Sequence, residues 1–209
     1  MSVINRIIKS FDDFDGSRNR HSLFCDWVKF MAISISNQVW FLWEREEEYR
    51  RLAKTYDAKS MKRFSDMMGM LWEAFDTEIN DYLGQIYMEG NMGNKSTGQF
   101  FTPFHLAELV AMMMQSTDPE QKVFMNEPAC GGGGMILAKA KAVQAVGGNY
   151  QDALKVIAQD LDWTGVYMTY TQLSMAGINA VVIQGDTLMG KKAGALQKFY
   201  TPLYVLKCI

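Results

Sequence analysis

Residues 123–134 read Val123-Phe124-Met125-Asn126-Glu127-Pro128-Ala129-Cys130-Gly131-Gly132-Gly133-Gly134, and the chain then enters Met135-Ile136-Leu137-Ala138-Lys139-Ala140. An apolar run meets an acid and a proline, then four glycines, then a strong helix former. This order predicts a buried strand, a loop that lets a ligand touch backbone, and a helix whose N-terminal amides face that loop. Such a junction marks a nucleotide-like site.

Downstream, the pattern predicts a helix over 135–146 ended by Gly147-Gly148, a strand over 154–158, a helix over 163–175 and a strand over 180–183. The alternation is a β-α-β-α-β chain, which implies a parallel sheet with right-handed crossovers. Ligands in such sheets bind beyond the carboxyl ends of the strands. Residues 127–134, 159–162 and 185–188 are the candidates there. Upstream, a helix is expected over 106–115. Residues 89–98 are small, polar and glycine-rich and read as a linker. Residues 19–90 hold few glycines and no proline, and Phe64, Met67, Met68, Leu71, Trp72 and Phe75 recur at helical spacing. Three or four helices are expected there. Residues 1–18 read as a short helix and a polar turn. The expected division is a helical module over 1–95 and an α/β domain over 96–209.

Composition narrows the function classes. The chain has 209 residues, 48% of them hydrophobic and 21% charged, which is globular and not disordered. A net charge of −2 gives the whole molecule no long-range attraction to a polyanion, so a local basic face or a partner would have to supply it. Cys25, Cys130 and Cys208 form no C-x-x-C pair, and His21 and His105 are the only histidines. No metal site and no disulfide framework is expected, and reduced thiols point to the cytoplasm. The N-terminus has no signal core, and residues 27–43 are too polar and too short to span a bilayer, so no membrane association is expected.

Three kinds of nucleotide loop compete. A dinucleotide fingerprint, G-x-G-x-x-G, fails because Ile136 or Leu137 occupies its last glycine. A phosphate-binding P-loop fails at Gly93-Asn94-Lys95-Ser96, where an asparagine intervenes and no strand precedes. Glu127 at the loop's start would repel phosphate but suits a cationic ligand. S-adenosylmethionine, with its sulfonium and amino group, is such a ligand.

Here the residues resemble a known family. Glu127-Pro128-Ala129-Cys130-Gly131-Gly132-Gly133-Gly134 is similar to the D/E-P-x-C-G-S-G-G motif of N6-adenine DNA methyltransferases, above all the modification subunit of type I restriction systems. Gly98-Gln99-Phe100-Phe101-Thr102-Pro103 resembles that family's G-x-(F/Y)-(F/Y)-T-P motif, which precedes the first strand. The resemblance covers roughly residues 50–190. It implies a Rossmann-like, S-adenosylmethionine-dependent methyltransferase fold, cut short here, behind an N-terminal helical module. It also implies roles. Glu127, with Pro128 behind it, would face the cofactor's amino acid end, approached closely by the Gly131 and Gly133 amides. Gln99, Phe101 and Thr102 would close over the methionine end. Asp160, with Asp162 as the alternative, would bind the ribose hydroxyls, and Asp186 would accept from the adenine amine. Gly132 replaces the family's serine, which removes a hydroxyl and keeps the turn.

Adenine methylation also needs the flipped base to be gripped. The family does this with Asn, Asp or Ser, two prolines and an aromatic, after the fourth strand. Pro103, Pro119, Pro128 and Pro202 are the only prolines and no two are adjacent. The nearest candidate is Thr201-Pro202-Leu203-Tyr204, in which Thr201, Pro202 and Tyr204 would take the catalytic places. The competing reading is a plain fourth strand over 200–206. The expected function is cofactor binding with methyl transfer to DNA adenine if the site is competent. The alternatives are a non-catalytic cofactor-binding module and a structural subunit completed by a partner chain. DNA would be reached through a partner or a further region, and an open sheet edge predicts a homodimer or hetero-oligomer.

Overall fold

The computed structural model describes residues 1–92, 101–192 and 197–208. Gln99, with Gly98 and Phe100 of the upstream motif and most of the linker expected at 89–98, lies outside the described residues.

Five helices come first: α1 (Val3–Ser10), α2 (Arg20–Val39), α3 (Trp43–Ala53), α4 (Ala58–Thr77) and α5 (Tyr82–Glu89). Four start on a side-chain cap. Ser2, Asn19, Asp57 and Asp81 each accept a hydrogen bond from an amide three residues on, which satisfies a donor the helix leaves orphaned. Of the six residues read at helical spacing, α4 buries Phe64, Met67, Leu71 and Phe75 along one stripe, while Met68 is half-buried at its edge and Trp72 is exposed. Trp27 on α2 is fully buried and its Nε1 donates to Phe64 O at 3.1 Å, so the indole fixes α2 against α4.

The second half runs α6 (Phe104–Met113), β1 (Val123–Glu127), α7 (Gly134–Ala145), α8 (Tyr150–Ala153), β2 (Leu154–Asp160), α9 (Trp163–Met175), β3 (Asn179–Gln184), β4 (Gln197–Tyr200) and α10 (Pro202–Cys208). The sheet order is β1-β2-β3-β4. The first three strands are parallel, with Glu127 beside Ala158 and Asp160 beside Gln184 at their carboxyl ends. That register gathers the three candidate loops at one end of the sheet. Helix α9 packs on β2 and β3, and α2 packs on α9. Buried side chains form one continuous cluster from Ile4 to Phe199, so the helices of the first half and the sheet share a core.

One expectation is corrected. Residues 200–206 are not a strand: β4 ends at Tyr200, and 202–208 form a helix. The reason is local. Pro202 sits at the first helical position, where its missing N–H costs nothing, and Thr201 Oγ1 caps the turn by accepting from Tyr204 N at 3.4 Å. Strand β4 runs antiparallel to β3, pairing Gln197 with Gln184 and Tyr200 with Val181. The chain is thereby carried back toward the amino end of β3.

Candidate functional site

The glycine loop is held from behind. Cys130 N donates to Gln159 O at 2.9 Å, docking the loop on the end of β2. Thr169 Oγ1 donates to Gly131 O at 2.8 Å and Gln172 Nε2 donates to Gly132 O at 2.7 Å, so α9 takes two of its carbonyls. Gly131 (φ +51°) and Gly133 (φ +90°) adopt left-handed conformations that let the chain turn this tightly. A Cβ on Gly131 would stand 2.9 Å from the Phe101 ring, so the absent side chain is what lets that ring close on the loop. No described acceptor takes the amides of Gly134 and Met135 at the start of α7.

A cavity of about 230 Å³ opens in front of these amides, lined by the loop, Phe101, Thr102, Met135, Asp81 and Asp160. It shares Asp81, Phe101 and Thr102 with a larger cavity of about 520 Å³ that extends between α5 and α6 to His105, Glu108 and Lys141. The described lining of the smaller cavity includes two carboxylates and no Lys, Arg or His. A phosphate would meet like charge there, whereas a cation is attracted.

Asp160 lines the cavity, and its Oδ2 accepts from Gly131 N at 2.7 Å while Oδ1 accepts from Asp162 N at 2.9 Å. Each oxygen keeps a second lone pair for a hydroxyl donor. Asp162 is instead the cap of α9, accepting from Gly165 N at 2.9 Å. Of the two acids, Asp160 alone is at the cavity wall. Glu127 ends β1, and its carboxylate turns to its own loop, with Ala129 N at 3.5 Å. Burial raises its pKa, and the Asp160 charge adds to that. Pro128 O accepts from Thr187 Oγ1 at 2.6 Å, which ties the loop after β3 to the loop after β1. Asp186 stands beside that tie at the end of β3, its Oδ1 accepting from Leu188 N at 2.9 Å. Phe101 meets Tyr87 edge-on, with centroids 4.9 Å apart. Burial pushes the Cys130 thiol up to about 12, so it stays protonated and packs as a small apolar residue.

The structure does not bring Thr201, Pro202 and Tyr204 to this cavity. Thr201 is fully buried; its Oγ1 donates to Ile178 O at 2.7 Å and accepts from Ala180 N at 3.0 Å. These partners are at the amino end of β3, whereas the cavity is beyond the carboxyl ends. The antiparallel course of β4 is the cause.

Sequence reasoning missed Asp81, Thr169 and Gln172. Asp81 is 3% exposed, and its Oδ1 accepts from Gly84 N at 3.0 Å and from Gln172 Nε2 at 2.8 Å. Leu83 N donates to Gln172 Oε1 at 2.9 Å, which completes that amide's bonding. A signal existed for each half. Asp81 precedes Gly84 at a helix start, and Thr169 and Gln172 are one turn apart on a helix that is otherwise fit to be buried.

The family described as N-6 DNA Methylase matches residues 78–206, more than half of the chain, and the chain belongs to that family. The matched span starts just before Asp81 and includes the glycine loop, Asp160 and Gln172. Among curated proteins nothing matches. Among the described residues no helix is long and apolar enough to cross a membrane.

Proposed function

We propose that this N-6 DNA methylase relative binds S-adenosylmethionine beyond the carboxyl ends of β1–β3, in a Rossmann-like methyltransferase arrangement, and presents it for transfer to the amine of adenine in DNA. The carrying observation is the cavity itself. Helix-start amides and glycine backbone form one wall, and the carboxylates of Asp81 and Asp160 stand in the lining without a described cation beside them. When bound, the cofactor supplies an electrophilic methyl group. Asp160 suits the ribose diol, since a carboxylate accepts from hydroxyls more strongly than a neutral group does. Asp186, one strand over, suits the adenine amine. Phe101, seated on Gly131, excludes water from the amino acid end.

Positioning of the base supplies most of the acceleration in a direct displacement of this kind. Thr201 to Tyr204, the set that would grip a flipped adenine, are at the amino end of β3, away from the cavity. That observation favours a second reading, in which the chain holds the cofactor and a partner chain grips the base, or no transfer occurs. Calorimetric titration with S-adenosylmethionine tests the binding, and absence of heat at high cofactor concentration would sink both readings. A tritiated-methyl assay on unmethylated DNA then divides them, with incorporation by the chain alone favouring the first.

A further inference from the structure

A carboxylate is a costly choice for a helix cap that is buried. Asn or Ser would cap α5 as well, and a buried carboxyl loses its hydration. Asp81 uses only Oδ1 for the cap and for Gln172. Oδ2 has no hydrogen bond to any described residue, although Asp81 is 3% exposed. Two glycines keep the space around Oδ2 clear. A Cβ on Gly84 would stand 2.1 Å from it, and a Cβ on Gly134, the first residue of α7, would stand 2.9 Å away. Asp81 also lines both cavities, so it stands where they join. The result, among the described residues, is a single carboxylate oxygen without a partner beside helix-start amides that no described acceptor takes. Positive and negative recognition groups are side by side, which is the complement of an amino acid zwitterion.

We infer that Asp81 Oδ2 accepts the α-ammonium of the cofactor's methionine end, with the α7 amides beside it left for the α-carboxylate. The inference rests on the cofactor reading above and deepens it. It gives to an acid of the helical half the role that sequence likeness implies for Glu127, whose carboxylate is outside the cavity lining and turned to its own loop.

The test uses two probes on the full chain: S-adenosylhomocysteine and its analogue lacking the α-amino group. Calorimetry on the native chain should give a preference of about tenfold or more for the amine, the size of one charge-assisted bond. Asp81→Asn should bind the two alike, because an amide nitrogen facing the ammonium offers no acceptor. Asp81→Ser, which keeps a cap, gives the same comparison if the asparagine variant fails to fold. Glu127→Gln should keep the preference. Equal binding of both probes by the native chain overturns the inference, as does a preference that persists in both Asp81 variants or vanishes in Glu127→Gln. If the native chain binds neither probe, the cofactor reading itself has failed, and that result is distinct from the others.

Discussion

Gln172 Nε2 donates to Asp81 Oδ1 at 2.8 Å across 91 positions of sequence, and both side chains are buried. This bond joins the start of α5 to the middle of α9. Gln172 spends its other hydrogen on Gly132 O and its oxygen on Leu83 N, so one side chain holds a helix, an acid and the glycine loop in register.

Gln172→Ala should therefore cost much more than a lost contact. It leaves Leu83 N, Gly132 O and Asp81 Oδ1 each short of a partner in the interior. A loss of about 2–4 kcal/mol is expected from unsatisfied buried groups. Urea titration should show it as a lower midpoint at unchanged slope. A midpoint within error of the native one would remove the bond from any account of this fold.

The pH dependence of stability should carry the mark of Asp81. Burial raises its pKa, and the bonds from Gln172 and Gly84 oppose that only in part. A carboxyl raised in the folded state holds its proton more tightly there than in the unfolded chain. Its contribution is therefore most favourable below the unfolded value of about 3.9 and is lost as pH rises through the folded value. Glu127, also raised, acts with the same sign. Melts of native and Asp81→Asn protein from about pH 4 upward should diverge, the native chain losing more. Parallel curves would mean that burial does not raise the Asp81 carboxyl.

Gly131→Ala places a methyl group against the Phe101 ring in a left-handed backbone. A cost of about 1–3 kcal/mol is expected from strain and overpacking together. Adding Phe101→Ala should recover part of it, because the clash is with that ring. A double-mutant cycle reads the recovery directly. Strict additivity would mean that the ring does not rest on the loop.

Thr201→Val separates architecture from chemistry. The hydroxyl serves Ile178 O and Ala180 N at the amino end of β3. Its loss should lower stability by about 1–3 kcal/mol. Affinity for S-adenosylhomocysteine should stay within twofold or so, about the scatter of a distant, independent site. A large drop in affinity at unchanged stability would return Thr201 to the functional site.

The legible part of this molecule is the part whose demands are local. Glu127 to Gly134 announces a strand, a turn and a helix start because each residue type answers a backbone need at its own position. The stripe Phe64, Met67, Leu71 and Phe75 announces a buried face because helical period is visible within twelve residues or so. Residues 197–208 escape such reading. Four strand residues are too few to show a period, and whether they run with or against β3 depends on a connection, not on composition. Asp81 escapes for another reason. Alone it is an ordinary helix cap, and Gln172 alone is an oddity in an apolar helix. Each acquires its meaning from the other only once the chain has folded back across 91 positions.

Strand β1 carries the glycine loop, yet among the described residues it is paired on one side only, and Phe124 on it is 63% exposed. Met113, 78% exposed, ends α6 in water after Leu109 and Val110, and Met114 follows it at 77%. Whoever purifies this chain inherits the consequence. Excluded salts such as sulfate and phosphate strengthen apolar association, and an unpaired strand templates further strands. Dilute stocks in sulfate-free, phosphate-free buffer should stay monodisperse where concentrated ones turn cloudy, and light scattering should come before any titration.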